Sequence, residues 1–245
     1  MIGRTRRAHQ HHRLRLAILP QPDDTTCGPT CLHAIYRYYG DEIELPTLVD
    51  EVTTLPGGGT LAVSLACHAL RRGYDATIYT YNLLLFDPTW FTKSNSNIPQ
   101  LLAEQLRAKP DRKLELATRA YLDFFELGGA LRYEELTADL VRRPLKRGVP
   151  VLTGLSATYL YGCARERDDD YDSIGGTPAG HFVVISGYDT KTRDVLVADP
   201  LHDNPRYQSS LYRVGLSRLI GAVLLSIVTY DANLLVITPR SNRST

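Results

Sequence analysis

The chain has 245 residues, 43% hydrophobic and 22% charged, the balance of an ordinary globular protein large enough for a sizeable core. Lys and Arg number 28 against 27 Asp and Glu, and a net charge of +1 excludes the broad basic field of a nucleic-acid binder. The four cysteines (Cys27, Cys31, Cys67, Cys163) are too few and too unevenly spaced for a secreted disulfide framework, so free thiols in a reducing cytoplasm are expected.

Residues 1–14 are basic, carry His9, His11 and His12, and are expected to form a disordered arm ahead of a single domain over 15–245. The apolar run that follows them is broken by Arg15 and is too short for a signal peptide. The longest apolar stretch, residues 219–229, falls well below the ~20 residues of a membrane span, so no span is expected.

The first patterned element begins at Cys27. Cys31, Ala34, Ile35 and Tyr38 recur at the spacing of one buried helical face, Pro29 fits only a first turn, and Gly40 is a natural stop. A short helix over 45–52 follows. Thr60 reads as the N-cap of a helix over 61–72, which Gly73 ends, and residues 77–81 alternate as a strand. From 82 to 147 the texture changes to helical patterns at 98–109, 113–127 and 133–143. This segment is read as a helical insertion that walls a cleft. An apolar strand at 149–154 precedes the charged run 165–172, which is expected as a mobile surface loop. Strands at 181–187 and 194–199 flank a polar turn, a helical period covers 216–227, and a last strand spans 234–238. Helices come first and strands later, so the fold class is α+β.

Two of these elements carry chemistry. Cys27 sits at a helix N-terminus, where unpaired N–H groups and the dipole stabilise a thiolate. A turn centred near residue 191 makes His181 and Asp199 direct or diagonal neighbours at one rim of the sheet. A carboxylate there would orient the imidazole and favour its charged form, leaving the other ring nitrogen for a thiol. Cys27 as nucleophile, His181 as acid/base, Asp199 as orienter and Gln21 as an oxyanion donor beside the Cys27 N–H complete an acyl-transfer site. Singly, each residue has a plainer explanation: a small buried hydrophobe, an edge histidine, a turn opener and a surface glutamine. Their joint occurrence carries the reading. Cys31 is expected to pack in the core one turn below Cys27, and a zinc site has no second cysteine pair to support it. No cofactor or metal is expected.

Gln21-x5-Cys27-Gly-Pro with its helix to Tyr38-Tyr39-Gly40, and Gly180-His181-Phe-Val-Val-Ile-Ser-Gly with Val197-Ala-Asp-Pro200, resemble the motifs of the C39-like cysteine peptidases of the papain-like superfamily. The resemblance spans residues 17–81 and 148–200 and barely touches the segment between them. It implies a papain-like fold, with an N-terminal nucleophile helix packed on an antiparallel sheet and a helical insertion. It also implies a stand-alone bacterial peptidase or amidase acting on a peptide or small amide, because neither the membrane spans nor the ATPase of transporter-fused leader peptidases is read here. A functional link to an ATP-grasp peptide ligase is a further implication. A transpeptidase using an amine acceptor, and a silent peptide-binding module, stay open beside hydrolysis.

Overall fold

The computed structural model describes residues 11–56, 58–92, 96–168 and 170–240. In chain order the elements are β1 (His11–Arg13), α1 (Cys27–Tyr38), α2 (Leu45–Glu51), α3 (Ala62–Arg71), β2 (Tyr74–Thr80), α4 (Ile98–Ala108), α5 (Arg112–Glu126), β3 (Ala130–Arg132) and α6 (Ala138–Lys146). They continue with β4 (Val151–Ser156), β5 (Glu166–Arg167), β6 (Asp170–Tyr171), β7 (Gly180–Asp189), β8 (Asp194–Ala198), β9 (Leu211–Gly215), α7 (Leu216–Leu225) and β10 (Asn233–Pro239).

The central sheet runs β3-β2-β10-β4-β7-β8-β9 and is antiparallel except for the β2–β3 pair. Its faces are covered by different helices, because the strands alternate. Phe182, Val184, Leu152 and Leu235 join Leu32 and Ile35 of α1, Leu65 of α3, Leu102 of α4 and Phe124 of α5 in one cluster. Val183, Ile185, Val151 and Val197 join Leu145 of α6 and Leu219 and Val223 of α7 in the other. Strand β7 is buried along nearly its whole length, as a strand covered on both faces must be. The class is the α+β architecture expected from the sequence.

Several local expectations give way to tertiary contacts. Residues 11–14 are not a free arm: β1 pairs with β7, the Leu14 N–H donates to the Ser186 carbonyl at 2.8 Å, and Leu14 is buried. Their alternation was too short to register against the surrounding charge, and the earlier arm residues lie outside the described part. Gly187 makes this pairing possible, because a Cβ there would meet the His12 carbonyl oxygen at 2.5 Å.

Thr60 does not cap α3. Its hydroxyl donates to the Thr53 carbonyl, and the first N–H of the helix, that of Ala62, donates instead at 2.8 Å to Oδ1 of the Asp231 carboxyl group. Helix α6 starts at the Thr137 cap and runs through Pro144, so that Leu140, Val141, Pro144 and Leu145 bury one face. The charged run after residue 165 folds back as the β5–β6 ribbon, with Arg167 paired to Asp172 at 2.8 Å. Strands β3 and β9 were not anticipated. Within 82–147, β3 extends the sheet beside β2 and α5 packs on α3, so this segment shares the main core.

Candidate active site

Helix α1 begins at Cys27, as the Pro29 argument requires, and Gly40 closes it with φ +77°. Thr26 precedes it without its side chain accepting a helix N–H; its hydroxyl accepts from the Asp23 N–H and donates to the Asp23 carbonyl instead. The first N–H groups of α1 therefore have no side-chain cap at the position where Cys27 stands. One turn along, the Cys31 thiol is fully buried and donates to the Phe182 carbonyl at 3.3 Å, which ties α1 to the residue next to His181. Gly28 permits the close seat of this first turn. A Cβ on it would lie 2.5 Å from a Thr60 methyl and 3.3 Å from both Leu65 and Phe182.

His181 opens β7 and Asp199 follows β8. The two strands pair Val184 with Ala198, and a bulge around Ser186 shifts the register toward the turn, so His181 and Asp199 are diagonal neighbours. By alternation both belong with Val183 and Val197 on the face that α7 covers, while Cys27 approaches from the α1 layer. They meet at the rim. The His181 Nε2–H donates to Asp199 Oδ1 at 2.8 Å, and the Cys27 thiol is a further hydrogen-bond partner of the same ring. With Nε2 committed to Asp199, Nδ1 is the nitrogen left for sulfur. Cys27 retains 8% exposure, so the sulfur lies just beneath the surface.

Asp199 has no exposure, and all its acceptor capacity is used. Oδ1 takes the His181 N–H and the Leu201 backbone N–H (2.9 Å), while Oδ2 takes the hydroxyls of Tyr161 (2.8 Å) and Tyr212 (2.6 Å). Burial alone would push this carboxyl up, but the His181 charge and the donors around it outweigh burial and hold it below the usual carboxylate range. Burial likewise opposes a charged His181, yet Asp199, with Cys27 behind it, lifts the imidazole well above its ordinary value. The Cys31 thiol is pushed up by burial and by the neighbouring Cys27 and Asp199, which fits a packing group.

Gln21 reaches the same rim through its backbone, whose N–H donates to the Pro200 carbonyl at 3.0 Å. Its amide nitrogen donates to the Asp23 carbonyl at 2.9 Å, and its buried Oε1 has no partner. The Gln21 amide is thus engaged with its local turn. The remaining polar residues weighed from the sequence lie outside this cluster. His68 bridges the Tyr36 hydroxyl (2.9 Å) and Glu51 (3.0 Å), and Cys67 is buried at the α3–α5 contact. A cavity of about 340 Å³ lined by Glu51, His68, Arg71 and Arg72 sits near Tyr36, more than two turns along α1 from Cys27.

Sequence reasoning missed Tyr161 and Tyr212. The inward alternation of Tyr212 and Val214 was available as a strand signal. Tyr161 lies in a π turn, Thr158–Gly162, after β4, and nothing in a linear pattern announces that geometry.

The sheet with α1 packed on it, and with Cys27, His181 and Asp199 at one rim, has the papain-like fold expected from the sequence. The Peptidase_C39 like family matches residues 111–214, a span that holds His181 and Asp199 but ends well short of Cys27. Over that span the chain is similar to the C39-like family. The match takes in part of the segment between 82 and 147, which the sequence resemblance barely touches.

A crystal structure from Bacillus anthracis described as a C39-like peptidase superposes with a TM-score of 0.53 at 15% identity, covering 95% of this chain and all of that one. Xylellain, a cysteine protease from Xylella fastidiosa, gives 0.45 at 13% identity over 96% of this chain and 88% of its own. A double glycine motif protease from an AMS/PCAT transporter, solved with its leader peptide, gives 0.45 at 12% identity, covering 94% of this chain and 95% of that one. No curated protein sequence matches the chain.

Proposed function

We propose that the protein is a cysteine peptidase or amidase that hydrolyses a peptide or amide bond through a Cys27 thioester. The observation that carries this reading is the single imidazole, His181, with Asp199 on one side and the Cys27 thiol on the other. In the proposed reaction the Cys27 proton passes to His181 and the sulfur attacks the substrate carbonyl. Oxygen gains the negative charge and is met by the Cys27 N–H at the α1 N-terminus and by the second amide N–H of Gln21. His181 then gives its proton to the leaving amine as the C–N bond breaks. Water, deprotonated by the same imidazole, cleaves the thioester and frees Cys27. Asp199 keeps the ring oriented and the imidazolium stable throughout.

All four cysteines are unpaired, which supports a reducing cytoplasmic setting. Among the described residues, no helix is long and apolar enough to cross a membrane.

The test is direct. Iodoacetamide at neutral pH should label Cys27 ahead of Cys31, Cys67 and Cys163, as read by peptide mapping. Quenched fluorescent peptide libraries should reveal a cleavage that Cys27→Ala and His181→Ala each reduce by about 10⁴-fold or more. Equal labelling of the accessible thiols, or cleavage that survives Cys27→Ala, would overturn the proposal.

A further inference from the structure

Asp199 Oδ2 receives two tyrosine hydroxyls that the reaction above does not use. Tyr161 arrives from the π turn after β4 and Tyr212 from an inward position of β9, so the carboxylate is gripped from two separate elements. Both grips are braced. The Tyr212 ring stacks on Tyr207 with centroids 3.8 Å apart and planes 5° from parallel. Arg218 of α7 donates to the Leu160 and Tyr159 carbonyls at 2.9 and 2.8 Å, which holds the π turn in place.

We propose that Tyr161 and Tyr212 are positioning residues that act on His181 through Asp199, holding Oδ2 so that Oδ1 alone faces the imidazole. The proposal rests on the thiol-hydrolase reading above and deepens it. A buried carboxylate keeps its charge only while its oxygens are supplied with donors, and among the described residues these two hydroxyls are the donors seen on Oδ2. The plainer alternative is that Asp199 merely satisfies two buried phenols. Burial, followed by the Asp199 charge, raises both tyrosines far above their ordinary value, so they remain donors at any pH the site would meet. The groups facing His181 are Asp199, Cys27 and Tyr161, whose ring lies against the imidazole with centroids 6.1 Å apart. Those facing Asp199 are His181, Tyr161 and Tyr212, with Cys31 close by in α1 and Tyr207 beyond Tyr212.

The two accounts separate in the titration of His181. Tyr161→Phe, Tyr212→Phe and the double variant are made in the full chain. The His181 ring is followed by NMR with labelled histidine, and Cys27 alkylation by iodoacetamide is followed against pH. Losing a donor leaves Asp199 the stronger base, so the Asp199–His181 pair should hold its proton more tightly, and the apparent His181 titration should rise by about one pH unit for one donor lost and by about two for both. The pH profile of alkylation should shift in step. Phe variants that titrate and alkylate like the parent would overturn the proposal.

Should a variant fail to fold, the parent protein still decides. Tyr161 and Tyr212 should show hydroxyl protons that exchange slowly with water, and fast exchange would overturn the grip. If His181 in the parent titrates at its ordinary value and Cys27 reacts like an unactivated thiol, the hydrolase reading itself falls. If the parent behaves as an activated pair and only the Phe variants are unaffected, the tyrosine proposal alone falls.

Discussion

At the residue scale the decisive fact is how few atoms hold the charge in place. Asp199, itself without solvent exposure, stays ionised because four donors reach it, and its charge in turn raises His181. Asp199→Asn removes that charge while keeping the shape. It should cost about 3–5 kcal/mol, because a buried imidazolium loses its partner. The pH dependence has a definite sign. The lowered carboxyl contributes stability above its ordinary 3.8 and loses it on acidification. The raised imidazole contributes fully below its ordinary 6.5 and loses the contribution as the pH climbs through its elevated value. The melting-temperature gap between parent and Asp199→Asn should therefore be widest in mildly acid solution, between those two ordinary values, and close toward alkaline pH. A gap that widens steadily into alkali would contradict the pairing.

Asp231 behaves in the opposite way. Burial raises its carboxyl to about 7, against the pull of the Ala62 N–H. The folded state therefore favours the protonated form, and this residue subtracts stability as the pH rises from 3.8 through about 7. Asp231→Asn keeps an acceptor for Ala62 and should raise the melting temperature at pH 8 more than at pH 5. Asp231→Ala forfeits the cap at both pH values, by about 1 kcal/mol.

At the scale of elements, the seat of α1 decides whether the thiol reaches the imidazole. The glycine after Cys27 is the contact that sets this distance, as its crowded surroundings show. Gly28→Ala should cost about 1–3 kcal/mol through overpacking. Because the displaced turn carries Cys27, it should also reduce turnover by a larger factor than that loss of stability implies; kinetics on the folded variant measure this. The helix was legible in the sequence because its signals are local: a buried-face period, a proline allowed only near the start, and a terminating glycine. The α3 cap was not, since its donor acceptor pair joins residues far apart in the chain, Ala62 and Asp231. Strand β3 was hidden for the same reason. Its three residues form a strand only because β2 offers an edge.

At the scale of the whole molecule, β7 is the axis. It pairs with β4 and β8 along its length and with β1 beyond the bulge, it carries His181 at its start, and it contacts α1 across its face. Removing the residues up to Leu14 exposes part of this axis. The truncated protein should lose about 2–4 kcal/mol, from the lost ladder bonds and the burial of Leu14, with a matching fall in the denaturant midpoint. An unchanged midpoint would mean that β1 is a passive cover.

The sequence by itself determined the helix that starts at Cys27, the hairpin that brings His181 beside Asp199, and the α+β class. Periodicity, helix ends and a short turn are encoded within a dozen or so residues of one another. Tertiary structure alone decided that β1 belongs to the sheet, that Asp231 caps a distant helix, and that two tyrosines from separate elements close around Asp199. A hydrogen bond to a buried carboxylate depends on which surfaces the core brings together, and no local pattern records that. The cysteine, histidine and aspartate could thus be named from the chain, while the groups that keep the aspartate charged became visible only once it was folded.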